Sequence, residues 1–172
     1  MLHNPADLSD LENNIAIFFH HLHSRTRVYP QDIGATITLV SDGTANTFGS
    51  WTQIVPINTI DFAYMVTGVV IENVDAASTY FIQLGFSIVN GSDPTTTQIM
   101  GERRVKITEV PIAQANQILD FYSMECPANA KLWGRLKTDG GATDEAYISI
   151  GVIRHIAISN PKDHLTTWPW ST

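Results

Sequence analysis

Four residues in one run have the types and spacing of a binding surface. Lys131, Trp133, Arg135 and Lys137 recur at every second position, with Leu132, Gly134 and Leu136 between them. Successive side chains of a strand point to opposite faces, so this run sets a core face against a basic face carrying one tryptophan. An outward tryptophan flanked by cations suits a sugar ring, a nucleobase or another protein, and aromatic and arginine side chains are enriched at protein interfaces. The competing arrangement has Trp133 covered by an N-terminal helix or by the C-terminal tail.

The remaining groups capable of chemistry have weaker patterns. His20, His21 and His23 crowd one stretch, and His20 and His23 have the i, i+3 spacing two metal ligands use on a helix. No third ligand stands nearby, so surface histidines near a helix C-terminus are expected and no metal site is assigned. Asp139, Asp144 and Glu145 flank Gly140-Gly141 and could bind calcium through oxygens, but they lack EF-hand or RTX spacing. A solvated acidic turn is expected there. Cys126 is the single cysteine, has no histidine partner by motif, and is expected to be a small buried residue. There is no G-x-S-x-G elbow and no glycine-rich loop in a strand–loop–helix setting. Paired carboxylates for a hydrolase are not evident either, since the acidic residues fall mostly in loops and at element ends. With histidines nearly absent from the strand region, a metal enzyme on a jelly roll is weaker still. The expectation is a protein that is not an enzyme and uses no cofactor.

The elements that carry these residues read as strands. Thr79 to Ile88 alternates apolar Tyr80, Ile82, Leu84, Phe86 and Ile88 with Gln83, Gly85 and Ser87; only Phe81 breaks the rule. That pattern predicts a half-buried antiparallel strand with one face open to water or a partner. Similar short strands are expected at 37–40, 50–55, 62–73 (bent or bulged at Gly68), 98–107, 118–124, 131–137 and 145–158. Turn signals separate them at Asp42-Gly43, Asn90 to Pro94, Pro127 to Asn129 and Asp139 to Gly141. For 118–124 a helix is the alternative, because the good helix formers Ala113, Gln114 and Ala115 precede it. About eight short strands predict an all-β antiparallel sandwich or jelly roll over residues 35–160.

Ahead of it, residues 1–34 read as a helical arm and an extended connector. Ser9 and Glu12 have capping-box spacing, and Leu8, Leu11, Ile15, Phe18, Phe19 and Leu22 recur at three- and four-residue steps. Behind it, residues 161–172 form an extended tail with Trp168-Pro169-Trp170. The apolar stripe and the two tryptophans are the candidate assembly interface: Leu11, Ile15, Phe18, Phe19, Leu22, Trp168 and Trp170.

Composition limits the partners. In 172 residues, 17 acidic groups outweigh 10 basic ones, for a formal charge of -7, which argues against a general nucleic-acid binder. No apolar run approaches the roughly 20 residues of a membrane helix, and no basic n-region precedes an apolar run at the start. A soluble product made in a host cytoplasm, with no membrane partner, is expected.

Several short motifs together carry a resemblance. They are Trp51-Thr52-Gln53-Ile54-Val55-Pro56, Val70-Ile71-Glu72-Asn73, Tyr80-Phe81-Ile82-Gln83-Leu84-Gly85 and Gly101-Glu102-Arg103-Arg104-Val105. Cys126 through Leu136 follows, and then Gly140-Gly141 ahead of Ala146-Tyr147-Ile148-Ser149-Ile150. Over roughly residues 50–155 the chain resembles small β-sandwich virion proteins of tailed bacteriophages, of the capsid decoration or cement type. The resemblance implies a structural role on the capsid exterior, with the major capsid protein as partner and a homotrimer as the working form. The alternative expectation is a receptor- or carbohydrate-binding jelly roll of the tail or capsid surface, with Trp133 at its site.

Overall fold

The structure, a computed structural model, describes residues 26–32, 34–88, 92–110, 117–121 and 123–154. Among them are nine strands: β1 Thr26–Tyr29, β2 Ile37–Val40, β3 Thr52–Val55, β4 Tyr64–Val74, β5 Thr79–Ser87, β6 Ile99–Lys106, β7 Gln117–Asp120, β8 Lys131–Thr138 and β9 Glu145–Arg154. One 3₁₀ turn, Thr96–Gln98, precedes β6. The expected N-terminal helix with its stripe, the three histidines and the Trp-Pro-Trp tail lie outside the described residues.

All pairing is antiparallel. One sheet runs β1-β9-β4-β7, with β2 also on β9, and the other runs β3-β8-β5-β6. β1 and β2 share one edge of β9, β1 along Ile150 to Ile153 and β2 along Glu145 to Ile148. From β2 onward every connection but β5–β6 crosses between the sheets. That is a jelly roll whose first strand is split in two. Thr26 to Tyr29, expected as part of a connector, is thus the opening half of that strand, and Tyr29 is buried.

The core lies between the two inner faces. Leu39, Ile60, Tyr64, Val66, Val69, Ile71, Tyr80, Ile82, Leu84, Phe121, Leu132, Leu136, Ile148, Ile150 and Val152 are fully buried. Their alternation along β8 and β9 is the period-two pattern of the sequence. Gly134 on β8 marks a close approach: a β-carbon there would lie 2.8 Å from Ile54 Cδ1 and 3.2 Å from a Leu39 methyl. The Pro127 to Asn129 turn forms as expected, Ala130 N–H donating to the Pro127 carbonyl at 3.3 Å and Asn129 at φ 62°.

Four bulges break the alternation, the first at Ile54 in β3. β4 carries extra residues at Thr67, just before the expected Gly68, and at Glu72. In β6 Met100 is extra, opposite the step from Leu84 to Gly85. The β6 bulge turns Met100 into the core and leaves Ile99 half-buried. β5 differs from expectation in a second way, because its outward face is not open. Gln83, Gly85 and Ser87 are all buried. β5 is central in its sheet, and long side chains from β8 lie across it, while Pro94 stands where a Gly85 β-carbon would be, 2.9 Å away.

Candidate functional site

The outer face of the β3-β8-β5-β6 sheet is built in cross-strand rows. Register sets Arg135 opposite Gln83, and Gln83 opposite Glu102. The row is hydrogen-bonded throughout: Arg135 Nε–H donates to Gln83 Oε1 at 2.8 Å, and Gln83 Nε2–H donates to Glu102 Oε2 at 3.2 Å. The next row is Lys137, Phe81 and Arg104. Lys137 Nζ lies 4.7 Å and Arg104 Cζ 5.9 Å from the Phe81 ring centroid. On the other side of Arg135, Trp133 Nε1–H donates to Ser87 Oγ at 2.9 Å, and Lys131 Nζ sits 5.3 Å over the indole.

The segment before β3 completes the array. Asn46 N–H and Gly49 N–H donate to the Thr138 and Leu136 carbonyls, at 2.7 and 2.8 Å, so this segment runs along β8. Gly49 is required by the close approach, since a β-carbon there would lie 2.0 Å from the Val40 carbonyl oxygen. The result places Phe48 and Trp51 against Arg135, 4.4 and 4.3 Å from its Cζ, and Phe48 also 4.5 Å from Lys137 Nζ. Trp51, Arg135, Phe48, Lys137, Phe81 and Arg104 therefore form one stacked series of alternating rings and cations. Burial pulls the Arg135 guanidinium below its ordinary value, and the Glu102 carboxylate opposes that pull.

Of the four patch residues expected from sequence, Trp133, Arg135 and Lys137 are half-buried on this face, as the alternation implied. Lys131 is the exception: it is only 8% exposed, its chain laid along the indole rather than out in water. The centre of the array is Arg135, not Trp133. Phe48, Trp51, Phe81, Gln83, Glu102 and Arg104 are members that the strand pattern of β8 alone does not identify. The one available signal was Phe81, the single apolar residue at a polar position of β5. The candidate interface residues Leu11, Ile15, Phe18, Phe19, Leu22, Trp168 and Trp170 lie outside the described residues.

The other sheet presents a different outer face. Val28, Met65, Val70, Ile118 and Ile153 are its outward apolar residues, with Val28 and Ile118 more than half exposed, and Gly68, Gly151 and Ser149 lie between them. The side formed by β6 and β7 is closed by Arg103, which donates from Nε to the Asp120 carbonyl at 2.8 Å and stacks over Phe121 at 5.2 Å.

The remaining groups take structural places. Cys126 is buried and pairs through its backbone with Tyr64, and burial pushes its thiol up to about 12. It is no nucleophile at neutral pH. Asp139 accepts from Ser78 Oγ and Thr79 N–H, both at 2.8 Å, and these bonds hold its carboxyl down at about 2. Glu145 N–H donates to Asp75 Oδ1 at 2.7 Å. Asp144 corrects the expectation of a solvated turn: it is 5% exposed, and its backbone N–H donates to Ser41 Oγ at 2.8 Å. Among the described residues no three His, Cys, Asp or Glu side chains are grouped as metal ligands, and no helix is long and apolar enough to cross a membrane.

No protein-family model matches the chain, and no curated protein matches it. Among solved structures it is similar to the Eiger TNF of S. frugiperda, at 7% identity and a TM-score of 0.40, over 80% of this chain and 96% of that one. It is also similar to the VP2 subviral particle of infectious bursal disease virus, at 12% identity and a TM-score of 0.37, over 77% of this chain and 33% of that one. The Gx strain of the same virus gives 14% identity and a TM-score of 0.38, over 80% and 34%. The chain thus spans about a third of the viral chains it resembles. Likenesses of this degree assign neither a family nor a function.

Proposed function

We propose that this chain is a non-enzymatic structural protein of a virion, a capsid decoration (cement) protein that binds the major capsid protein on the shell exterior as an oligomer, a homotrimer. The observation that carries the proposal is the pair of outer faces. One is a series of stacked, partly exposed rings and cations, and the other is a sheet face with exposed Val28 and Ile118. Rigid aromatic and arginine side chains bury area on a partner at low ordering cost. The sequence resemblance to phage decoration proteins over roughly residues 50–155 points the same way. The apolar residues that the sequence spaces along its first 25 positions, and Trp168 and Trp170, would add area on a neighbour and so several linked contacts per subunit.

The test is co-sedimentation of the purified chain with empty phage heads. Binding of the full chain, and its loss from a chain lacking residues 1–25 that keeps its β circular dichroism, supports the proposal. The truncation must stop before Thr26, where β1 begins. Failure of the full chain to pellet with any head shell refutes it. The second reading, a carbohydrate-binding surface, is favoured by half-exposed Trp133 on the ring face. Glycan binding that Trp133→Ala abolishes, with no affinity for shells, would decide for it.

A further inference from the structure

The Asp139 to Asp144 loop meets the start of β5 at one end of the sandwich, and oxygens from both ends of the loop and from Ser78 lie around Gly140. A β-carbon on Gly140 would lie 3.3 Å from Asp144 Oδ2, 3.8 Å from Ser78 Oγ and 3.9 Å from Thr138 Oγ1. Two of these three side chains are out of water, Asp144 at 5% exposure and Thr138 at 2%. The Thr138 hydroxyl is buried with no hydrogen-bond partner. A buried hydroxyl without a partner costs about 1–3 kcal/mol, so such a group marks a place where a further partner fits. Asp144 brings a carboxylate to the same place. Ser78 donates its proton to Asp139 Oδ1, which leaves its oxygen lone pairs available. Asp139 adds a second carboxylate alongside, ionised at neutral pH.

We propose that this oxygen-lined niche is a binding site for one calcium ion, held by Asp144, Thr138 and Ser78, with Asp139 supplying nearby negative charge. All the donors are oxygens, hard ligands that suit an alkaline-earth cation and not a thiolate- or imidazole-seeking metal. Calcium tolerates irregular coordination and fills its shell with carbonyls and waters, whereas magnesium demands a near-ideal octahedron. With few carboxylates and part of the shell left to solvent, the site belongs to the weak class, with a dissociation constant of about 10⁻⁴–10⁻³ M. The ligands tie the start of β5 and the end of β8, in one sheet, to the start of β9 in the other, so calcium would clamp the two sheets together at this end.

The experiment titrates the full chain with calcium chloride by isothermal calorimetry and follows thermal unfolding at matched ionic strength. One ion per chain is expected, with a rise in Tm of several degrees at about 10 mM calcium that sodium chloride does not reproduce. Asp144→Asn and Gly140→Ala should each weaken binding by about tenfold or more, and Thr138→Val by less. Gly140→Ala keeps every ligand and only fills the niche, so it decides the location even if Asp144→Asn does not fold. No heat and no Tm change for the wild type up to about 10 mM calcium would overturn the site. A folded Gly140→Ala chain that binds as the wild type does would overturn its location.

Discussion

Arg135→Ala should be among the most damaging changes available on the surface of this protein, although it touches no core residue. Arg135 lies 4.4 Å from the Phe48 centroid and 4.3 Å from the Trp51 centroid. Each such contact is worth about 0.5–1 kcal/mol at a partly exposed position, together about 1–2 kcal/mol. Its 2.8 Å bond to Gln83 adds about 1 kcal/mol, an ordinary hydrogen bond, because half-exposure discounts the extra strength of a charged donor. Gln83 is 9% exposed, so losing this donor leaves a nearly buried acceptor without it. The sum is about 2–3 kcal/mol, or a fall in Tm of roughly 4–12 °C for a chain of this length. Urea unfolding of the wild type, Arg135→Ala, Trp51→Ala and the double variant gives the coupling directly, expected at about 0.5–1 kcal/mol. Arg135→Lys should fall between, since it keeps a cation near the rings and loses the planar fork. A loss below about 0.5 kcal/mol for Arg135→Ala, or additive single and double variants, would refute the idea that the ring series holds this face in place.

Two further outcomes are expected. Gly134→Ala should cost about 1–3 kcal/mol by overpacking, because the added methyl would stand 2.8 Å from Ile54 Cδ1. Ile54→Val removes that atom, so in urea titrations the double variant should be more stable than the sum of the single losses; strict additivity would show that the close approach is not the cause. Asp139→Asn should lower the urea midpoint at neutral pH. The Asp139 carboxyl sits at about 2 in the folded chain, below its unfolded value of about 3.9. Its stabilisation is therefore complete above about pH 4 and disappears as the pH falls through 2, so the gap between wild type and variant should close over that window. A gap that stays constant from neutral pH to pH 2 would contradict the cause assigned to the shift.

The sheets were legible because their signal is local. Period-two alternation identified β5, β8 and β9, a nearly continuous apolar run identified β4, and Pro127 to Asn129 and Asp139 to Gly141 marked the turns beside β8. What stayed hidden depends on which strands become neighbours. The outward face of β5 reads as wet, yet Gln83 and Ser87 are covered by Arg135 and Trp133 from a strand some fifty residues later. Phe48 and Trp51 join the site because Gly49 lets a loop run against Val40, and no periodicity announces that approach. The β6 bulge at Met100 shifts the burial pattern by one residue, which alternation alone assigns to the wrong side chain. Asp144 looks like one more acid in a glycine turn; its burial follows from the meeting of β2 and β9.

The position of β9 has a consequence for how the chain is made. It is the last described strand, and it pairs with β1, β2 and β4. On the ribosome every member of the β3-β8-β5-β6 sheet is present once Thr138 has emerged, but the partner sheet has no centre until Arg154 follows. Until then β1, β2 and β4 wait with unpaired edges, and the inner apolar face of the first sheet has little to lie against. The sandwich therefore cannot close before β9 is made and, with its first and last described strands paired, it should fold slowly for its size. A chain that terminates shortly after Gly141 would contain eight of the nine strands and still lack a sandwich.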